Sequence, residues 1–163
     1  GPSRLLIAGD SAGGGLALAL LLALRDDGAP LPAGAVLFSP WTDLAVTGQS
    51  IVTNDAQDAL MFGSWVASVA RHYLAGTSAT NPLVSPVYAD LTGLPPLFIQ
   101  VSDAEILLDD SRRIAENARK AGVEATMQIW PGVPHGWQIF APILPEGRDA
   151  LREASTFIDA HLS

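Results

Sequence analysis

The sequence predicts an α/β fold: a parallel sheet of about four strands flanked by helices. Two observations carry this. Short apolar runs at 4–8, 34–39, 96–101 and 124–130 alternate with helix-like stretches at 12–25, 63–74, 109–121 and 147–162. Turn-forming residues close most of these elements. Strands alternating with helices imply a parallel sheet covered on both faces.

The elements follow in order. Leu5-Leu6-Ile7-Ala8 reads as a buried strand, and the apolar run from 12 to 25 as a helix. Asp26-Asp27-Gly28 stops that helix, and Pro30 and Pro32 confirm the break. Gly-Ala-Val-Leu-Phe-Ser at 34–39 is a second strand, ended by Pro40. A long segment at 41–61, rich in Thr, Asp, Asn and Gln, reads as irregular. Residues 63–74 look helical, and 81–95, with three prolines, look like loop. The third strand covers 96–101. The helix at 109–121 sets Arg112, Arg113, Glu116, Arg119 and Lys120 on its wet side, and Gly122 ends it. Pro131-Gly132 closes the fourth strand. There is no internal repeat and no low-complexity tract.

Composition narrows the function. The 163 residues suit one domain with a real core. Hydrophobic residues make up 48% and charged residues 16%, as expected of a globular protein. A net charge of −8 argues against nucleic acid, which needs an excess of Lys and Arg. The absence of cysteine excludes disulfides, thiolate nucleophiles and cysteine-based metal sites, and is compatible with the cytoplasm, where we expect the chain. The longest apolar run, at 13–24, is too short to span a bilayer, and no signal-like segment is expected.

Chemistry concentrates at Gly9-Asp10-Ser11-Ala12-Gly13. This is Gly-x-Ser-x-Gly between a strand and a helix, the context of a nucleophile elbow. The tight turn needs small residues two positions either side of the serine. It exposes the Ser11 hydroxyl and aims the Ala12 N–H at the site where an oxyanion would form. The bland alternative is a glycine-rich turn gripping a phosphate at a helix N-terminus.

A serine nucleophile needs a base and an orienting carboxylate. Of the three histidines, His72 falls within a helix and His161 near the chain end; His135 follows the fourth strand directly. Ligands in open parallel sheets gather at that carboxyl end. Four acids follow the third strand: Asp103, Glu105, Asp109 and Asp110. Helix N-terminal capping explains Asp109 and Asp110, and leaves Asp103 and Glu105 open. The order serine, acid, histidine is that of α/β-hydrolases.

Four motifs now resemble one family, the hormone-sensitive-lipase-like bacterial esterases (family IV). They are Asp10-Ser11-Ala12-Gly13-Gly14, Ser39-Pro40-Trp41-Thr42-Asp43, Ala104-Glu105-Ile106-Leu107-Leu108-Asp109-Asp110 and Trp130-Pro131-Gly132-Val133-Pro134-His135. The resemblance implies Ser11 as nucleophile, His135 as base and Glu105 as the acid that orients it. It implies a carboxylic ester hydrolase with no metal or organic cofactor and a small-molecule ester as substrate. Trp41, Trp137 and Phe140 are expected to line an apolar substrate site.

The resemblance covers the C-terminal half of such enzymes. Residues 1–163 are thus expected to be a partial α/β-hydrolase fold, lacking the N-terminal strands and the cap. The family's His-Gly-Gly-Gly oxyanion motif does not occur in this sequence. Leu5-Leu6-Ile7-Ala8 becomes an open hydrophobic edge, which predicts a homo-oligomer or association with an N-terminal half. A non-catalytic remnant acting as an assembly module is the alternative.

Overall fold

Each expected strand forms within two residues of its sequence position. The computed structural model describes residues 1–162, and its strands are β1 (Leu6–Asp10), β2 (Gly34–Phe38), β3 (Leu97–Ser102) and β4 (Ala125–Trp130). The helices are α1 (Ala12–Asp26), α2 (Ser50–Thr53), α3 (Gly63–Leu74), α4 (Leu108–Lys120) and α5 (Pro145–His161). Short 3-10 turns lie at Pro2–Arg4, Pro86–Tyr88 and Trp137–Phe140.

All strand pairs are parallel, in the order β1-β2-β3-β4, with Leu6 opposite Gly34, Val36 opposite Phe98 and Ser102 opposite Trp130. Strand side chains alternate between two faces. Ala35, Leu37, Leu97 and Ile99 face α1 and α4, where Leu18, Leu21, Leu22, Ile114 and Ala118 complete the main core. Val36 and Phe98 face the other way, against Ala154 and Phe157 of α5. The expected two-sided cover is present. Gly122 ends α4 with φ +75, the left-handed conformation that glycine accepts without strain.

The segment expected to be irregular is better organised than its composition suggests. Residues 41–61 contain the single-turn helix α2 and bury Trp41, Leu44 and Ile51 against Val66 and Ala70 of α3. Ile106 and Leu107, which follow β3, complete this second small core. It sits over the carboxyl ends of the strands and fixes the walls of the site.

β1 pairs on one side, with β2, and its other edge is open among the described residues. Leu5 is 61% exposed beside that edge, and Leu16 and Leu20 of α1 are 63% and 45% exposed. No helix among the described residues is long and apolar enough to cross a membrane.

Candidate active site

The turn between β1 and α1 is sharp because its residues permit it. Ser11 has φ 53, a left-handed conformation costly for a residue with a Cβ, and its N–H donates to the Phe38 carbonyl at 2.8 Å. A Cβ on Gly9 would collide with the carbonyl of Gly13. The steric demand expected at Gly13 falls instead on Gly14 and Gly15. A Cβ on Gly14 would lie 2.7 Å from Pro40 Cβ, and one on Gly15 would strike the Trp41 carbonyl. These glycines let α1 dock on the chain leaving β2, where the Trp41 N–H donates to the Ser11 carbonyl at 2.9 Å. Ser11 is half-buried. Ala12 is exposed at the first position of α1, where an N–H has no partner within the helix.

A second left-handed serine ends the neighbouring strand. Ser39 has φ 45, is fully buried, and donates its hydroxyl to Glu105 Oε2 at 2.9 Å. Strained non-glycine residues concentrate at functional sites. Here two such residues terminate adjacent strands.

The structure brings Glu105 and His135 together. His135 Nδ1 lies 3.6 Å from Glu105 Oε2, an ion-pair contact longer than a hydrogen bond, with the two side chains 12% and 1% exposed. Burial alone would lower the His135 pKa. The carboxylates of Glu105, then Asp58 and Asp10, outweigh it and raise the pKa above the usual histidine value. Ser11 lies next to Asp10, so the β1–α1 turn and His135 share one electrostatic neighbourhood. No hydrogen bond joins Ser11 Oγ to His135 among the described residues. Such contacts are commonly loose before substrate arrives.

The loop carrying Glu105 is clamped from several directions. Asn54 Nδ2 donates to the carbonyls of Asp103 and Glu105 at 2.9 and 3.0 Å. The Ile106 N–H donates to Asp58 Oδ2 at 2.9 Å. Asp103, the other open candidate for the orienting acid, receives the Gly132 N–H on Oδ1 at 2.8 Å and so ties the histidine loop to the acid loop. Asp109 and Asp110 do not cap α4; its N-terminal flanking residue, Leu107, offers no side-chain cap, and the Asp109 N–H donates instead to Ser50 Oγ at 3.0 Å. Asp109 accepts the Ser50 N–H, and buried Asp110 accepts the N–H groups of Thr42 and Asp43 at 2.7 and 2.8 Å. The capping expectation fails because the 42–50 segment packs on α4 and offers its own free N–H groups.

Among the described residues, no cationic side chain lies within ion-pair distance of Asp110. Burial, with the nearby Asp43 charge, pushes its pKa up to about 7 despite those two donors and the Arg113 charge. Asp43 behaves oppositely. Burial would raise it, but Thr47, Arg113 and Tyr88 hold it below the usual carboxylate range, with Arg113 Nη1 2.7 Å away.

An apolar cavity of about 230 Å³ adjoins the nucleophile turn, lined by Ala12, Leu16, Trp41, Leu44, Val69 and Tyr73 among others. Trp41 is thus where a substrate-lining residue is expected. Trp137 corrects its expectation: it is fully buried, its ring tilted against Trp130 with centroids 5.8 Å apart, and packed with Val133 and Ala150 beneath the histidine loop. Phe140, half-buried in the same 3-10 turn, is not among the residues lining this cavity. Sequence reasoning assigned no role to Ser39, Asn54 and Asp58. Ser39 stood inside a quoted motif, whereas Asn54 and Asp58 carried no signal within a polar segment.

A family described as having the α/β-hydrolase fold matches residues 1–139, so the chain belongs to that family. Its relatives support the narrower resemblance to hormone-sensitive-lipase-like esterases. An acetyl-hydrolase of Streptomyces hygroscopicus is 50% identical over 157 residues, 96% of this chain and 52% of that protein. A solved esterase of the bacterial hormone-sensitive lipase family superposes with a TM-score of 0.98 at 48% identity, covering all of this chain and 55% of the other. A solved esterase soaked with p-nitrophenyl butyrate gives a TM-score of 0.95 at 43% identity, covering 99% of this chain and 54% of its own length. The chain spans about half the length of the relatives it matches.

Proposed function

We propose that this chain carries the nucleophile, base and acid of a serine carboxylic ester hydrolase acting on short-chain esters. Ser11 attacks the ester carbonyl while His135 takes its proton. Glu105 holds the imidazole and stabilises its charged form. His135 then protonates the leaving alcohol, and water repeats the cycle on the acyl group. The observation that supports this most is the left-handed Ser11 at the end of β1, with the buried His135–Glu105 pair at the same end of the sheet. The apolar cavity beside Ala12 would receive the acyl chain, and a solved relative was soaked with a butyrate ester. No cofactor enters this mechanism. The ester substrate is small, and the cysteine-free composition suits the cytoplasm.

Turnover by this chain alone is expected to be weak. Ala12 supplies one oxyanion donor, and each lost donor costs roughly 10²–10³ in rate. The test is hydrolysis of a p-nitrophenyl ester together with labelling by a fluorophosphonate. Ser11→Ala should abolish both, and a loss of only a few-fold would defeat the assignment. The second reading, a non-catalytic assembly module, rests on the open β1 edge and the exposed Leu5, Leu16 and Leu20. It gains if neither turnover nor Ser11 labelling is found.

A further inference from the structure

We infer that Asp58 is a positioning residue for the base, a second carboxylate that fixes the Glu105 loop and adds its charge to the field on His135. The inference rests on His135 acting as general base.

Asp58 is 7% exposed and its carboxylate is fully engaged. Oδ1 accepts the N–H groups of Leu60 and Met61 at 3.0 and 2.9 Å, and Oδ2 accepts the Ile106 N–H. The last bond crosses from the 41–61 segment to the residue directly after Glu105, so Asp58 sets where the acid stands. Asp58, Glu105 and His135 also line one cavity of about 210 Å³, together with Gln57, Ala104 and Val133 among others.

The residue type is informative. Serine or asparagine caps such a turn equally well, and burying an ionised carboxylate is unfavourable unless a charge compensates it. No Lys or Arg lies within ion-pair distance of Asp58 among the described residues. What the carboxylate adds over a neutral cap is negative charge facing His135. Three carboxylates act on that ring: Glu105 from the loop after β3, Asp58 from the 41–61 segment, and Asp10 from the end of β1. When His135 takes the serine proton, an imidazolium forms in a site that excludes most water. A second buried carboxylate stabilises that charge as it develops.

The experiment titrates the three histidines of the intact chain by NMR, His135 being identified by its loss in His135→Gln. Asp58→Asn removes the charge and keeps an acceptor for one set of N–H groups, either the Leu60 and Met61 pair or the Ile106 N–H. Asp58→Ser keeps the turn at Leu60 with a neutral hydroxyl. Both variants should move the His135 midpoint to lower pH and leave His72 and His161 in place. On a p-nitrophenyl ester, kcat should fall about tenfold with KM little changed, and the acidic limb of kcat/KM should move to lower pH. A His135 midpoint left unmoved makes Asp58 a turn cap alone and overturns the inference; so does loss of the fold in both variants. Ser11 labelling is scored separately. A missing label with the midpoint shift intact defeats the hydrolase reading and leaves the Asp58–His135 coupling standing.

Discussion

The acid–base side of the site and the nucleophile side are built to different standards of closure. Glu105 is held by Ser39, its loop by Asn54 and Asp58, and the loop of His135 by Asp103. Every one of these partners lies within the chain. The nucleophile side has tight glycine packing beneath Ser11, yet Ala12 is exposed and β1 is open along its outer edge. The backbone groups of these two loops find their partners within the chain, while Glu105 Oε1 and His135 Nδ1 are buried without a hydrogen-bond partner among the described residues. An edge strand left in water keeps its pairing capacity for another chain. The difference separates what positions the proton relay from what completes the oxyanion site.

The comparison can be broken first at Glu105. Glu105→Gln keeps the side chain's shape and removes the charge behind the imidazole. It should lower ester turnover by about 10²–10⁴ while circular dichroism shows an unchanged fold. A near-normal Glu105→Gln with a dead Asp103→Asn would move the orienting role to Asp103.

The open side is tested next. We expect self-association through the β1 edge, or binding of an N-terminal half added in trans. Each leucine removed from an apolar contact is worth roughly 1.5–3 kcal/mol. Leu5→Lys combined with Leu16→Lys should therefore weaken association by at least tenfold. Analytical ultracentrifugation across dilution measures this. A stable monomer that the substitutions leave unchanged would show that the edge recruits nothing.

The smallest effect lies in the clamp beneath Trp41. Asp110 in the fold has its pKa pushed up to about 7, above the ordinary value of 3.8. Between those values the folded chain holds a proton that the unfolded chain has released. Stability therefore falls as pH rises through that window. Asp110→Asn should flatten this part of the pH profile in urea unfolding, while keeping the acceptor for Thr42 and Asp43. Asp43 titrates below the usual range and contributes stability above it, lost only in stronger acid. A profile unchanged by Asp110→Asn would place the pH dependence elsewhere.

The sequence by itself determined the parallel sheet, the boundaries of the four longer helices to within two residues, and the Gly9–Gly13 turn around Ser11. These depend on local pattern: apolar runs, breakers and the small residues of a tight turn. It also singled out His135 as the candidate base, because only that histidine follows a strand directly. Tertiary structure decided the rest. It alone paired Glu105 with His135 and made Asp103 a clasp between loops. It turned Asp109 and Asp110 from supposed helix caps into acceptors for the 42–50 segment, and placed Trp137 in the core. It brought Ser39, Asn54 and Asp58 to the acid loop across 48–66 positions of sequence. The physical reason is that a buried polar group is satisfied by whatever donor or acceptor the fold delivers to it. Residue type alone cannot name a partner that distant along the chain.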